Sequence, residues 1–246
     1  MSLDPVRLVL IEGLPGTGKS TLARGLCEVI RASGLEANWY LEEEADHPVH
    51  PATFRQARNE PAFAERCLDS WHHFVERVET SGGLHLLEGS ALQSTVRFMI
   101  EQGHAAVEEY FQRFIEIVKP LSPGLIYLCP DNALEHSRRV SAHRGADWSC
   151  KVSTYLQETP YSAARNWKGE LGMHSFWSDY AARCNELIKR AGMPILTLTA
   201  EPGDARSQLS ESIAFLRGAD EAMRKSADRM EQMRKDRAAA REKRGD

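Results

Sequence analysis

The segment Gly13-Leu14-Pro15-Gly16-Thr17-Gly18-Lys19-Ser20 constrains this chain more than any other, because it fixes a local fold and a ligand chemistry together. It matches G-x-x-x-x-G-K-[ST] at every fixed position, between an apolar run ending at Ile11 and an amphipathic stretch beginning at Ser20. Glycines at 13, 16 and 18 permit backbone angles in which successive N–H groups converge on phosphate oxygens, and the helix that follows adds its positive end. Lys19 is expected to bridge the β- and γ-phosphates and the Ser20 hydroxyl to ligate Mg²⁺, with Thr17 and Thr21 completing the phosphate-binding set. ATP and Mg²⁺ are the expected ligands.

Such a loop requires a strand before it and a helix after it, and the rest of the chain repeats that alternation. Five short apolar runs, at 7–11, 37–41, 84–87, 125–129 and 195–199, are separated by longer amphipathic stretches. Helices are expected over 20–31, 61–78 and 94–118, the last broken near Gly103. The fold class this predicts is α/β, a P-loop NTPase of three α/β/α layers around a five-stranded parallel sheet. One domain is expected over residues 1–217, with a helical lid at about 135–170. From 218 to 246 the composition shifts to Ala, Met and charged residues, which reads as a charged helical tail with a thin stripe through Met223, Met230 and Met233.

A parallel sheet binds its ligands at the carboxyl ends of its strands, so the residues just after each run carry the chemistry. After the second run stand Glu42, Glu43, Glu44 and Asp46, where a carboxylate can take a proton from an attacking hydroxyl; Glu42 and Asp46 are the candidates. His47 reads first as a satisfied loop histidine and second as a group that positions substrate. After the third run Glu88 faces the loop as a candidate for Mg²⁺ or substrate, with Gln93 a weaker candidate on the next helical turn. Asp131 after the fourth run reads as a helix cap. Beyond it Arg138, Arg139 and Arg144 are placed to clamp phosphates, because planar guanidinium groups stabilise charge on a transferring phosphoryl group. Tyr161, Trp167, Phe176, Trp177 and Tyr180 read first as core and second as a wall for a ring-bearing ligand.

This pattern resembles the nucleoside and nucleotide kinase group of P-loop proteins, thymidylate kinases and deoxynucleoside kinases about equally. The resemblance rests on the P-loop, the acid after the second strand, Glu88-Gly89-Ser90 after the third, and the arginine-bearing lid. It covers roughly residues 7 to 199 in order and spacing. Glu88-Gly89-Ser90 is similar to the Glu-Arg-Ser of deoxynucleoside kinases, with Gly89 where the arginine stands, and the Asp-Arg pair of thymidylate kinases is missing too. The resemblance implies ATP-dependent transfer of the γ-phosphoryl group to a hydroxyl or phosphate of a small molecule, antibiotics and other small alcohols included. Homodimers are also typical of the group. The competing expectation is a regulatory P-loop ATPase that engages a partner through the charged tail.

Composition narrows the partners. A formal net charge of −4 offers no basic footprint for nucleic acid, and no apolar run approaches the roughly 20 residues that span a bilayer. The five cysteines (Cys27, Cys67, Cys129, Cys150, Cys184) are scattered singly, which suits reduced thiols in a cytoplasmic protein. An Asn-Lys-x-Asp sequence that would specify guanine does not occur.

Overall fold

The computed structural model describes residues 6–50, 58–200 and 204–218. The tail from 219 onward lies outside them.

Five parallel strands form one sheet in the order β2-β3-β1-β4-β5: β1 Leu8–Gly13, β2 Ala37–Tyr40, β3 Leu84–Glu88, β4 Gly124–Cys129 and β5 Ile195–Thr199. Strand β1 is central and buried along its whole length, and its side chains alternate between two cores. Leu8 and Leu10 join one hydrophobic cluster, Val9 and Ile11 the other. A strand covered on both faces must be apolar without interruption, which is why 8–11 reads Leu-Val-Leu-Ile.

On one face pack α2 (Phe63–Ser81), α4 (Val107–Val118) and α8 (Gly169–Lys189), whose aromatic side chains fill the larger core. Trp71 and Phe114 meet edge to face at 4.8 Å, and Phe176 stacks on Tyr180. Of the aromatic residues at 161–180, Phe176 and Tyr180 are fully enclosed there, as core packing predicts. On the other face α1 (Lys19–Ala32) buries Leu22, Ala23, Leu26 and Cys27, joined by Leu209 and Ile213 from a final helix, α9, over 205–218. The three-layer α/β/α arrangement follows.

Two local details differ from the sequence reading. The expected third helix begins instead as a π-turn at Leu92–Val96 running into α3 (Arg97–Glu101), while the break expected near Gly103 is present, with Gly103 at a positive φ of 69°, before α4. The cap of α5 (Ala133–Arg144) is Asn132, whose side chain accepts from Glu135 N at 3.0 Å, and not Asp131. Both residue types cap helices, and the helix begins one residue later than the pattern suggests. After α5 the expected lid region continues as α6 (Ala146–Gln157) and α7 (Pro160–Ala163).

The register brings chemistry-bearing residues together. Ile11 pairs with Glu88 and Gly13 with Leu128, so the loop after β1 opens between the ends of β3 and β4. Among the described residues, no helix is long and apolar enough to cross a membrane.

Candidate active site

The P-loop is built by close approach. A Cβ on Gly13 would lie 2.5 Å from Leu128 O, and one on Gly16, at φ 80°, would lie 2.6 Å from Val140 on α5. Helix α5 therefore rests directly on the loop, and His136 Nε2 completes the contact with Pro15 O at 3.0 Å. Thr17 turns inward and donates to Leu14 O at 2.8 Å, closing the turn. Gly18, left-handed at φ 94°, begins α1 without a side-chain cap, and the first turn of the helix lies in the cleft wall with its N–H groups uncapped by side chains. Ser20 and Thr21 follow on its first turn and line the cleft.

That cleft encloses about 1600 Å³ and is lined by residues 15–22, Glu42, Glu43, Glu88, Gln93 and Arg97, with Arg139 and Arg144 above. Lys19 lies deep in it. Its Nζ donates to Gly13 O at 3.2 Å, Leu14 O at 3.0 Å and Gln93 Oε1 at 2.7 Å. Burial pulls its ammonium down from its ordinary range, against the charges of Glu42, Glu12 and Glu88.

Ser20 Oγ donates to Glu88 Oε1 at 2.9 Å, while Glu88 Oε2 is buried with no hydrogen-bond partner among the described residues. Burial raises the Glu88 carboxyl, and the Ser20 hydrogen bond and Lys19 oppose that rise. A buried carboxylate oxygen left over beside a P-loop hydroxyl has the donor chemistry a hard divalent cation requires, so Ser20 and Glu88 fit Mg²⁺. Groups of three or more His, Cys, Asp or Glu that could hold a metal by themselves do not occur among the described residues.

Across the cleft Glu42 accepts from Gln93 Nε2 at 2.5 Å and from Ser94 Oγ at 3.0 Å. Its carboxylate fills the space beside Gly89, where a Cβ would meet Glu42 Oε2 at 2.7 Å. Gly89 has a positive φ of 60°, so a side chain there would be strained and would push the Glu42 carboxylate aside. An arginine at that position would have to displace the Glu42 carboxylate from the place it holds here.

Not every expected residue gathers here. Asp46 is exposed and outside the cleft wall. Arg138 faces away on α5, pairs with Glu135 at 3.5 Å and borders a separate groove of about 440 Å³ against α6 and α8. Neighbouring helical residues diverge by about 100°, so Arg138 and Arg139 cannot both face the loop. Arg139 and Arg144 line the cleft instead, and the Arg144 guanidinium lies 5.2 Å above the Trp148 ring. His47 is buried: its Nδ1 accepts from Val49 N and His50 N, both at 3.3 Å, and its Nε2 meets Ser90 Oγ at 3.2 Å. Trp177 both packs in the core and lines the cleft.

The residue that sequence reasoning passed over is Glu12. Lying one place before the loop in an apolar strand, it signals only that the run ends. In the fold it is fully buried, and it accepts from Ala91 N at 2.7 Å and Gln93 N at 3.4 Å. A charged residue on the central strand was the available signal, since such a residue is almost never buried unless partnered.

Burial pushes the Glu12 carboxyl up from 4.5 to about 7, opposed by the Ala91 N–H and the charge of Lys19. The folded state therefore keeps a proton that the unfolded chain releases above its own, lower value, and stability falls as pH rises through the window between the two. The shift corresponds to about 3 kcal/mol lost between pH 4.5 and pH 7. Denaturant unfolding of Glu12→Gln should lack this share of the pH dependence, and identical pH slopes in variant and native protein would remove this account of Glu12.

No family model matches the chain. Over 94 residues it is 33% identical to a shikimate kinase of Corynebacterium glutamicum, a stretch covering 38% of this chain and 53% of that enzyme. The chain thus spans about half the length of the curated relative it matches. Among solved structures, the YorR protein of Bacillus subtilis, in complex with phosphorylated GDP, aligns with a TM-score of 0.48 at 12% identity over 87% of this chain and 98% of that one. A sugar kinase of a Janibacter species aligns with a TM-score of 0.45 at 14% identity, over 87% and 95%. The sequence likeness, with the P-loop already described, is to a P-loop kinase-like group and singles out neither thymidylate kinases nor deoxynucleoside kinases.

Proposed function

We propose that the protein is an ATP-dependent small-molecule kinase that moves the γ-phosphoryl group to an acceptor lying beside Glu42. The observation that carries this reading is convergence. Lys19, the Ser20–Glu88 pair and Glu42 all reach one cleft from three strand ends, beneath two arginines of α5. A P-loop serving hydrolysis or switching alone has no need of a second, acidic subsite facing the phosphates.

In this reading the amides of residues 13–20 and Lys19 hold the donor phosphates, and Arg139 and Arg144 neutralise charge on the transferring group. Ser20 and Glu88 would hold Mg²⁺, which would supply positive charge to offset that of the donor phosphates. Glu42 orients the acceptor hydroxyl and takes its proton, aided by Ser94 and Gln93, which fix its two oxygens. Helices α5 to α7 form the wall that excludes water, since transfer must outrun hydrolysis. Arg138 and Asp46 take no part. Residues 1–217 make up the catalytic unit in this reading, acting as a soluble cytoplasmic enzyme.

The test is purified protein with Mg²⁺-ATP against nucleosides, nucleoside monophosphates, hydroxylated antibiotics and shikimate, with ADP release and acceptor mass as readouts. The expected result is one acceptor class that raises turnover well above the basal rate and gains a phosphate by mass. Basal hydrolysis indifferent to every acceptor would refute the reading.

A further inference from the structure

Gln93 stands between the two halves of the cleft. Its Oε1 accepts from Lys19 Nζ at 2.7 Å, and its Nε2 donates to Glu42 Oε2 at 2.5 Å. The orientation of the amide is settled by its partners, because only the oxygen can face an ammonium and only the nitrogen can face a carboxylate. The backbone beneath is fixed as well, through the bonds from Ala91 N and Gln93 N to the buried Glu12 carboxylate.

An ammonium has three N–H bonds, and those of Lys19 are directed at Gly13 O, Leu14 O and Gln93 Oε1. A phosphate oxygen therefore gains Lys19 by displacing one of these acceptors. The first two are loop carbonyls, held by the pairing of Gly13 with Leu128 and by the bond from Thr17 Oγ1 to Leu14 O. Gln93 offers a side chain with rotatable torsions, so it is the partner that yields.

We propose that Gln93 is a coupling latch between the donor and acceptor halves of the site. It competes with nucleotide phosphates for Lys19, and once they hold the ammonium its amide oxygen is released to accept a hydrogen bond from the acceptor beside Glu42. The latch rests on the nucleotide-binding reading of the P-loop. It makes the two ligands reinforce each other, because a partner freed by one is offered to the other and such coupling is reciprocal. Glu12 serves as the positioning residue that keeps Gln93 within reach of both.

The sign of one measurement tests this. Calorimetric titration with Mg²⁺ and the non-hydrolysable analogue AMP-PNP should show Gln93→Leu and Gln93→Met binding about 3- to 20-fold more tightly than native protein, since the hydrogen bond to be displaced is gone. Turnover on any accepted substrate should fall in the same variants, as Glu42 loses a partner. A residue that merely supports the loop would move affinity the other way. The two replacements differ in shape, so a packing fault in one leaves the other to report, with melting temperature as the check. Unchanged or weaker affinity in a variant that melts with the native protein overturns the latch. Native protein that fails to bind the analogue at all overturns the nucleotide reading, and the latch with it.

Discussion

Lys19→Met is expected to lower kcat/KM for phosphoryl transfer about a thousandfold or more, the scale of losing a preorganised cation from a phosphoryl transition state. The same change should leave the melting temperature of the ligand-free protein equal or higher. Lys19 is buried, and burial pulls its ammonium below the ordinary range, so the fold holds that charge at a cost rather than deriving stability from it. The linkage sign agrees: a lysine whose folded value is depressed destabilises the native state wherever the unfolded chain is protonated, which includes neutral pH. Met keeps the length of the stem and removes the charge, so packing against residues 13–14 is largely retained. Activity and stability thus part company, as they do where a site is built for a ligand rather than for the fold. Turnover within tenfold of native would show that Lys19 is not the donor-site cation.

Much of the framework was legible because it follows from period and punctuation. Five apolar runs between amphipathic stretches gave five parallel strands, and the P-loop placed the first strand at a ligand site. What escaped depends on long-range contact. Glu12 is an acid in an apolar strand, and its role is visible only once β1 and the turn after β3 are neighbours, 79 residues apart along the chain. Gln93 looked weak because a polar side chain on a first helical turn is common; its bridge to Lys19 spans 74 residues and to Glu42 51. Arg138 and Arg139 could not be told apart without the helix phase, which is fixed by where Asn132 caps α5.

Gly89 shows the same limit from the other side. By resemblance the glycine stands where deoxynucleoside kinases carry an arginine, a departure that bears on which substrate is taken rather than on phosphoryl transfer itself. The structure adds that Glu42 lies against the glycine and would be displaced by any side chain there. The acid after β2 and the glycine after β3 are one feature, and neither can be interpreted alone.

That pairing makes Glu42→Gln the second large effect. Removing the carboxylate while keeping its shape should lower kcat about 100- to 10,000-fold, the range for a positioned general base. The nucleotide should still bind, since Glu42 contacts Gln93 and Ser94 rather than the loop. Asp46→Asn supplies the contrast: its side chain is exposed and outside the cleft, so turnover should stay within about twofold of native, as surface changes generally do. Glu43→Gln tests the nearest alternative, because Glu43 lines the cleft but is exposed. If Glu42→Gln retained native turnover while Glu43→Gln lost it, the proton would pass to the neighbouring acid, and the close fit of Glu42 against Gly89 would be packing rather than chemistry. A loss confined to Glu42 would instead place the acceptor oxygen between that carboxylate and the donor phosphates.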